Sequence, residues 1–551
     1  MSVTFPTNQA VDFLVLGAGA AGGVVAKELS TAGFSVVVLE QGPYLNEEDF
    51  THDEIKYTIQ HAITNDTKIQ PITYRKSERE QAKPLRAIEY ARMVGGGSVH
   101  FTANYWRFHE SDFHERSLFG AVSGADLTDW PITYDDLEPY YTKAEYDLGI
   151  SGLAGANPFE APRSKPYPLP PHPLKSSGVI FDRAARKLGL HPFPAPVAIL
   201  SQPYRGRAAC VNCGFCEFFG CEMKAKSSTL ASVIPMAEET GRCEIRPECY
   251  VRKIETDDSG RVTGAVYFDK NRREVFQRAK AVFLCANGVE SAKLLLISKS
   301  KHFPQGLANS SGLVGTHLMW DNGVEVLGLF EHPLNEYKGI PVTSLIHDYY
   351  AADPKRGFFG GAGIDARFDF FPASFALYGL PPDTPHWGDD FKKTFEVYFS
   401  RTMSLLSHTT SLSQTQNSVS LDPDVKDAWG MPAPRITFNY HPDDMATMKW
   451  IREKQFEILH AAGSKKVWAL PYAVTDNMPS RHLMGTCRMG KDPASSVVNA
   501  FSRAHDVPNL FIADGSNMVT SGRQQPTATI QALAYRAADF AIQAAKHGEL
   551  G

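Results

Sequence analysis

An apolar run, Phe13-Leu14-Val15-Leu16, leads into Gly17-Ala18-Gly19-Ala20-Ala21-Gly22, continues as Val24-Val25-Ala26-Lys27-Glu28-Leu29 and returns as Val36-Val37-Val38-Leu39-Glu40. The pattern predicts a strand, a glycine turn, a helix and a second strand. Ala281-Val282-Phe283-Leu284 repeats the signature, a buried strand opening through Cys285-Ala286-Asn287-Gly288 into a helix over residues 289–298. Between them, residues 251–268 alternate as a hairpin around Asp257-Asp258-Ser259-Gly260.

From about residue 320 to 471 the pattern changes to apolar and aromatic strands at 324–330, 395–399, 418–421 and 435–440, separated by Gly and Pro turns. A mainly antiparallel sheet is expected there, covered by a helix that begins after His441-Pro442 and runs to about Ala461. An amphipathic helix is expected over 134–146, and a long C-terminal helix with Pro526 near its first turn. Residues 46–83, polar and of mixed charge, read as loops and short helices covering a ligand. Residues 157–196, dense in proline, read as an extended connection. No internal repeat is visible.

With 551 residues, the chain is too long for one core, and at least two domains are expected. The expected class is α/β: a Rossmann-like dinucleotide-binding domain and a second, α+β substrate domain built on a mainly antiparallel sheet. A net charge of -5 leaves no electrostatic footprint for nucleic acid or an anionic membrane. No run of 18 or more apolar residues occurs, so no membrane span is expected. Residues 1–6 lack the basic and apolar regions of an export signal, so none is expected on this chain.

The glycines carry the first chemistry. Gly17 permits the tight turn, Gly19 lets backbone amides approach a pyrophosphate, and Gly22 lets the helix pack closely on the strand. Glu40 ends the second strand where its carboxylate can accept from a ribose diol and would repel a 2'-phosphate, so FAD or NAD is implied. Gly95-Gly96-Gly97-Ser98 leaves backbone amides uncovered beside a bulky planar group, with His100 placed to touch it. A satisfied structural histidine is the alternative for His100.

Four of the eight cysteines, Cys210, Cys213, Cys216 and Cys221, fall in a C-x2-C-x2-C-x4-C run. The spacing suits a cuboidal iron-sulfur cluster, with zinc and a disulfide loop as the other readings. Whether three or four of the thiolates bind stays open, since the last gap is one residue longer than in the ferredoxin run.

Together these motifs resemble the glucose-methanol-choline (GMC) family of FAD oxidoreductases, over nearly the whole chain. The resemblance is carried by Gly17/Gly19/Gly22/Glu40, Gly95 to Ser98, Ala286-Asn287-Gly288-Val289-Glu290-Ser291, Asp514-Gly515, and His482 paired with the turn before Pro526. With the cysteine run it is similar to the bacterial branch of flavin-dependent glucose, gluconate, fructose and glucoside 3-dehydrogenases. That likeness implies FAD held by Gly17, Gly19, Gly22, Glu40, Gly96, Gly97, Ser98, His100, Val251, Ala286, Asn287, Asp514, Gly515 and Pro526. It also implies an iron-sulfur cluster, 3Fe-4S in preference to 4Fe-4S, on the four cysteines. His482 falls at the family's catalytic histidine and Gln525 at its second position, usually His or Asn. His100 falls where pyranose-oxidising relatives attach FAD covalently.

The domain reading follows: FAD-binding segments 1–110 (cover loops 46–90), 229–319 and 476–551; substrate segments 111–204 and 320–475; an iron-sulfur loop at 205–228. The implied activity is hydride transfer from a sugar carbinol to flavin, with electrons passing through the cluster to a cytochrome c. A small signal-bearing subunit would take the chain to the periplasm; without such a partner the chain would stay in the cytoplasm. The preferred substrate is a glucoside oxidised at C3. Behind it stand gluconate and glucose dehydrogenases, an oxidase of the same fold using O2, and a non-catalytic flavoprotein.

Overall fold

The computed structural model describes residues 3–85, 90–321, 323–470 and 481–550. The expected boundary at 475/476 lies outside the described residues. Five parallel strands form the main sheet, in the order Cys243–Arg246, Val36–Leu39, Val11–Leu16, Glu274–Leu284 and Leu510–Ile512. The strand Glu274–Leu284 serves two purposes. Its second half pairs in parallel with Val11–Leu16, and its first half continues an antiparallel meander with Val262–Phe268 and Tyr250–Thr256. Leu14, Val37, Val282 and Phe283 are fully buried, as a sheet covered on both faces requires. The helix Ala20–Thr31 packs against this sheet and against the C-terminal helix Thr527–Lys546.

The second region is a six-stranded antiparallel sheet, ordered Lys466–Ala469, Gly323–Leu329, Thr402–His408, Ile364–Arg367, Ser344–Ile346 and Phe193–Pro194. The helix Pro442–Ala461 covers it, and its buried Gln455 donates to the carbonyls of Val324 and Leu405 at 2.8 and 3.1 Å. The fold class is therefore as expected: α/β with an antiparallel second sheet.

One local expectation fails and two gain an element, each for a physical reason. Residues 395–399 belong to a helix, Asp389–Phe399, not a strand. Phe391, Phe395 and Phe399 recur every fourth position, so their rings stack along one helix face at 6.4 and 5.6 Å, and two aspartates favour the first turn. Within the proline-dense stretch, the segment free of proline forms the amphipathic helix Ser176–Lys187, burying Phe181, Ala184 and Ala185. Residues 46–83 supply strand Ile72–Arg75, which pairs in parallel with Pro432–Thr437 in a separate four-stranded sheet. Its Ile72 and Thr73 are buried, and Thr73 donates to Asp422 at 2.7 Å. Among the described residues no helix is long and apolar enough to cross a membrane.

Candidate functional site

Three turns meet at the carboxyl ends of the parallel strands, where such sheets bind ligands. Gly17 has φ +101°, and Gly95 donates its N–H to the Ala18 carbonyl at 2.9 Å, so the two glycine turns are hydrogen-bonded together. A Cβ on Gly22 would stand 1.9 Å from the Gly17 oxygen, and one on Gly96 would stand 2.6 Å from the Gly19 Cα. No side chain larger than hydrogen fits at either place. The helix Ala20–Thr31 has no side-chain cap and no acid in its first turn, which suits its N-terminus to phosphate.

Glu40 accepts from the Ala18 and Gly42 amides, both at 2.9 Å, and burial pushes its carboxyl up to about 7 against those bonds. Asp514 closes the third turn, accepting from the Asn287 amide at 3.1 Å, the Ser291 hydroxyl at 2.5 Å and the Ser516 amide at 2.8 Å. From these turns a cavity of about 680 Å³ extends to His482, a volume in the range of cofactor sites.

The opposite wall is the face of the antiparallel sheet. Gly323 stands opposite His408, Glu325 and Asp365 both flank Leu406, and Arg367 is opposite Ser404. Asp321, just before this strand, is buried, and both of its carboxylate oxygens lie 2.8 Å from His482 Nδ1. His408 Nδ1 is 3.4 Å from the same carboxylate, and the two imidazole centroids are 4.7 Å apart. Burial favours protonated Asp321, yet the two histidines outweigh it and hold the carboxyl well below the usual range. These three side chains offer ligand atoms within 4.8 Å of one another and so could also take a metal ion.

Beside them, Arg367 is forked onto Asp365 at 2.5 and 2.6 Å and reaches Asp369 at 2.8 Å. Burial, then the Asp369 charge, pushes Glu325 up to about 7 and Glu217 up to about 8. Gln525 is buried, and its Oε1 finds no hydrogen-bond partner among the described residues. Its turn is anchored by Arg523, which pairs with Asp112 at 2.7 Å and Glu115 at 2.6 Å.

The cysteine run is a loop without regular structure, and its thiols are free. Burial raises the thiol of Cys210 to about 11, with Cys213 and Cys221 adding to it, and Cys216 is raised by burial and then by the other three thiols. The Asn212 amide lies 3.4 Å from the Cys210 sulfur. Buried Lys226 braces the loop by donating to the Phe219 and Phe101 carbonyls at 2.8 and 3.2 Å. Four thiols on one short loop, with an amide near the Cys210 sulfur, are a donor set suited to a metal cluster, yet among the described residues no three of them bring their sulfurs within 4.8 Å of one another, and Cys213 shares such a group with His52 and Glu222 instead. The loop is also cavity wall: Glu217 and Phe218 line it, and the Phe218 amide donates to the His100 carbonyl at 2.8 Å.

Gly17, Gly19, Glu40, Gly96, Gly97, Ser98, His100, Val251, Ala286, Asn287, Asp514, Gly515, Gln525, Pro526 and His482 all line the one cavity. Gly22 instead lies beneath it, as a packing glycine should. The reading of the sequence missed Asp321, Glu325, Arg367, Asp369 and His408, which line the same cavity. A signal existed: Glu325, Asp365 and Arg367 interrupt otherwise apolar strands, and a charge at a buried strand position asks for a partner.

Residues 11–319 and 413–534 match two family models, both described as GMC oxidoreductase. The chain is 34% identical over 540 residues to 2-methyl-1,2-propanediol dehydrogenase of Mycolicibacterium austroafricanum, covering 96% of this chain and 94% of the relative. It is 28% identical to the gluconate 2-dehydrogenase flavoprotein of Pantoea cypripedii, over 95% of this chain and 92% of that one. The fructose dehydrogenase large subunit of Gluconobacter japonicus is also 28% identical, with 98% of each chain covered. Among solved structures, pyridoxine 4-oxidase from Mesorbium loti superposes with a TM-score of 0.64 at 18% identity, covering 96% of this chain and 98% of that chain, and so shares the fold.

Proposed function

Because the chain belongs to the GMC oxidoreductase family, FAD-dependent enzymes acting on CH–OH groups, we propose that it is a sugar dehydrogenase with His482 as its base. The observation that carries this reading is His482 itself, fixed by Asp321 on the wall facing the glycine turns. A proton on Nδ1, donated to the carboxylate, directs Nε2 to the cavity as the acceptor for a carbinol proton. Gln525 is the second group at the substrate oxygen, its amide N–H steadying the developing alkoxide. Gly17, Gly19, Glu40, Gly96 to Ser98, Val251, Ala286, Asn287, Asp514, Gly515 and Pro526 would hold FAD, with Gly22 packing beneath, and His100 would touch its ring system. FAD, when bound, supplies the hydride acceptor.

The substrate we favour is a glucoside oxidised at C3. The names of the relatives, gluconate, fructose and a propanediol, favour a second reading in which another polyol is taken. Cys210, Cys213, Cys216 and Cys221 would hold an iron-sulfur cluster, in preference 3Fe-4S, that supplies one-electron exit to a cytochrome c. The fructose relative, a large subunit by name, supports a partner subunit, and a small signal-bearing one would take the chain to the periplasm.

The test is anaerobic bleaching of the purified flavoprotein by methyl glucoside, glucose, gluconate or fructose. Failure of all four would overturn the reading. Cys216→Ser should remove iron, measured by elemental analysis, and abolish cytochrome reduction while flavin bleaching persists. Rapid peroxide formation under air would support an oxidase instead.

A further inference from the structure

We propose that this site recognises a vicinal diol: His482 addresses the hydroxyl that is oxidised, and His408 accepts a hydrogen bond from the hydroxyl on the neighbouring carbon. The assignment rests on the reading of His482 above and adds a residue and a substrate class to it.

Asp321 is approached from two sides by imidazole Nδ1 atoms, 2.8 Å away for His482 and 3.4 Å for His408. A carboxylate only accepts hydrogen bonds, so the His482 nitrogen bonded to it carries the proton; His408 Nδ1 lies beside the same carboxylate outside hydrogen-bond geometry, and that negative charge favours a proton on the nitrogen nearest to it. In a neutral imidazole the other nitrogen, Nε2, is then an acceptor. Burial lowers the proton affinity of His408 more than Asp321 restores it, which favours the neutral ring. Its partner across the ladder is Gly323, which carries no side chain. Both rings line the same cavity with their centroids 4.7 Å apart and inclined at 46°. Two hydroxyls on adjacent carbons, each reaching about 2.8 Å to its acceptor, span such a pair, whereas one hydroxyl engages only one ring.

The chemistry balances without any contribution from His408. FAD, when bound, would supply the acceptor for the carbinol hydride, His482 would take the O–H proton, and the carbinol would become a carbonyl. The second hydroxyl keeps its proton and its oxidation state. His408 acts through recognition, which makes it a specificity residue.

The experiment uses the holoenzyme with ferricyanide as acceptor. Propane-1,2-diol is compared with propan-2-ol and 1-methoxypropan-2-ol, and methyl glucoside with its 2-deoxy and 4-deoxy analogues. Loss of the neighbouring hydroxyl should lower kcat/KM by about tenfold or more, and the methyl ether, which cannot donate, should lose as much. His408→Phe should shrink that ratio to about threefold or less, and His408→Asn, whose amide oxygen accepts, should restore part of it. A purely structural role would slow all substrates alike and leave the ratio unchanged. Equal turnover of diol and deoxy analogue by the wild type overturns the proposal, as does an unchanged ratio in His408→Phe with FAD bound. If that variant loses FAD, the wild-type series and His408→Asn decide. If no alcohol reduces the flavin, the dehydrogenase reading falls first, and that result is distinct from reduction without diol preference.

Discussion

The cavity has a floor of main chain and a roof of charged side chains. The floor, from Gly17 to Ser98 and across to Asn287, offers amides and carbonyls whose positions are set by glycines and helix ends. The roof, from Asp321 through Glu325 and Arg367 to His408, offers carboxylates, a guanidinium and imidazoles whose states depend on one another. A main-chain floor recognises shape and fails when volume is added. The roof acts through protonation and fails when a charge is removed.

The difference can be broken most severely on the floor. Gly22→Val places carbon where the Gly17 oxygen already sits, 1.9 Å from the Cβ position, so bound flavin per chain should fall to near zero by absorbance. His482→Ala should separate the two walls. Turnover should drop about 10³-fold while flavin content stays at one per chain; near-normal turnover would remove His482 from the chemistry.

Asp321→Asn, which leaves an amide facing two Nδ1 atoms, should cost about 10²-fold in kcat with little change in FAD affinity. Its stability effect has a definite sign. Since the folded state holds the Asp321 carboxyl below its ordinary value, its contribution is present above the unfolded carboxylate range and is lost on acidification. Asp321→Asn should therefore melt lower than wild type at pH 7, with the gap closing in acid.

The smallest effect belongs to Glu40→Gln. Burial raises the folded Glu40 carboxyl to about 7 in the absence of cofactor, so its stabilising contribution is full below the unfolded value and is lost as pH rises through about 7. Melting curves of flavin-free protein between pH 5 and 8 should slope downward for wild type and less so for Glu40→Gln.

The floor was legible in the sequence because its determinants are contiguous. The stretches around Gly17 to Gly22 and Cys285 to Ser291 each join a strand, a turn and a helix that follow one another directly in the chain. The roof was not legible. Asp321, Asp365 and His408 meet only through antiparallel register, and no local periodicity encodes which strands become neighbours. His482 was found by its motif, whereas its carboxylate partner lies 161 residues away. The misread strand at 395–399 has a related cause. Aromatic residues favour strands in isolation, and their four-residue spacing outweighs that preference once a helix can lay the rings on the cluster around Phe368 and Phe375.

The double-purpose strand Glu274–Leu284 also sets an order of assembly. The first strand of the chain needs it as a neighbour, it needs Leu510–Ile512 on its far side, and the first helix leans on the C-terminal one. During synthesis the N-terminal motif is therefore made early and finished last, with contacts of very large sequence separation still to be closed. A ribosome stalled before residue 510 would carry the phosphate-binding turn without the Leu510–Ile512 strand and the Asp514 turn that complete the site.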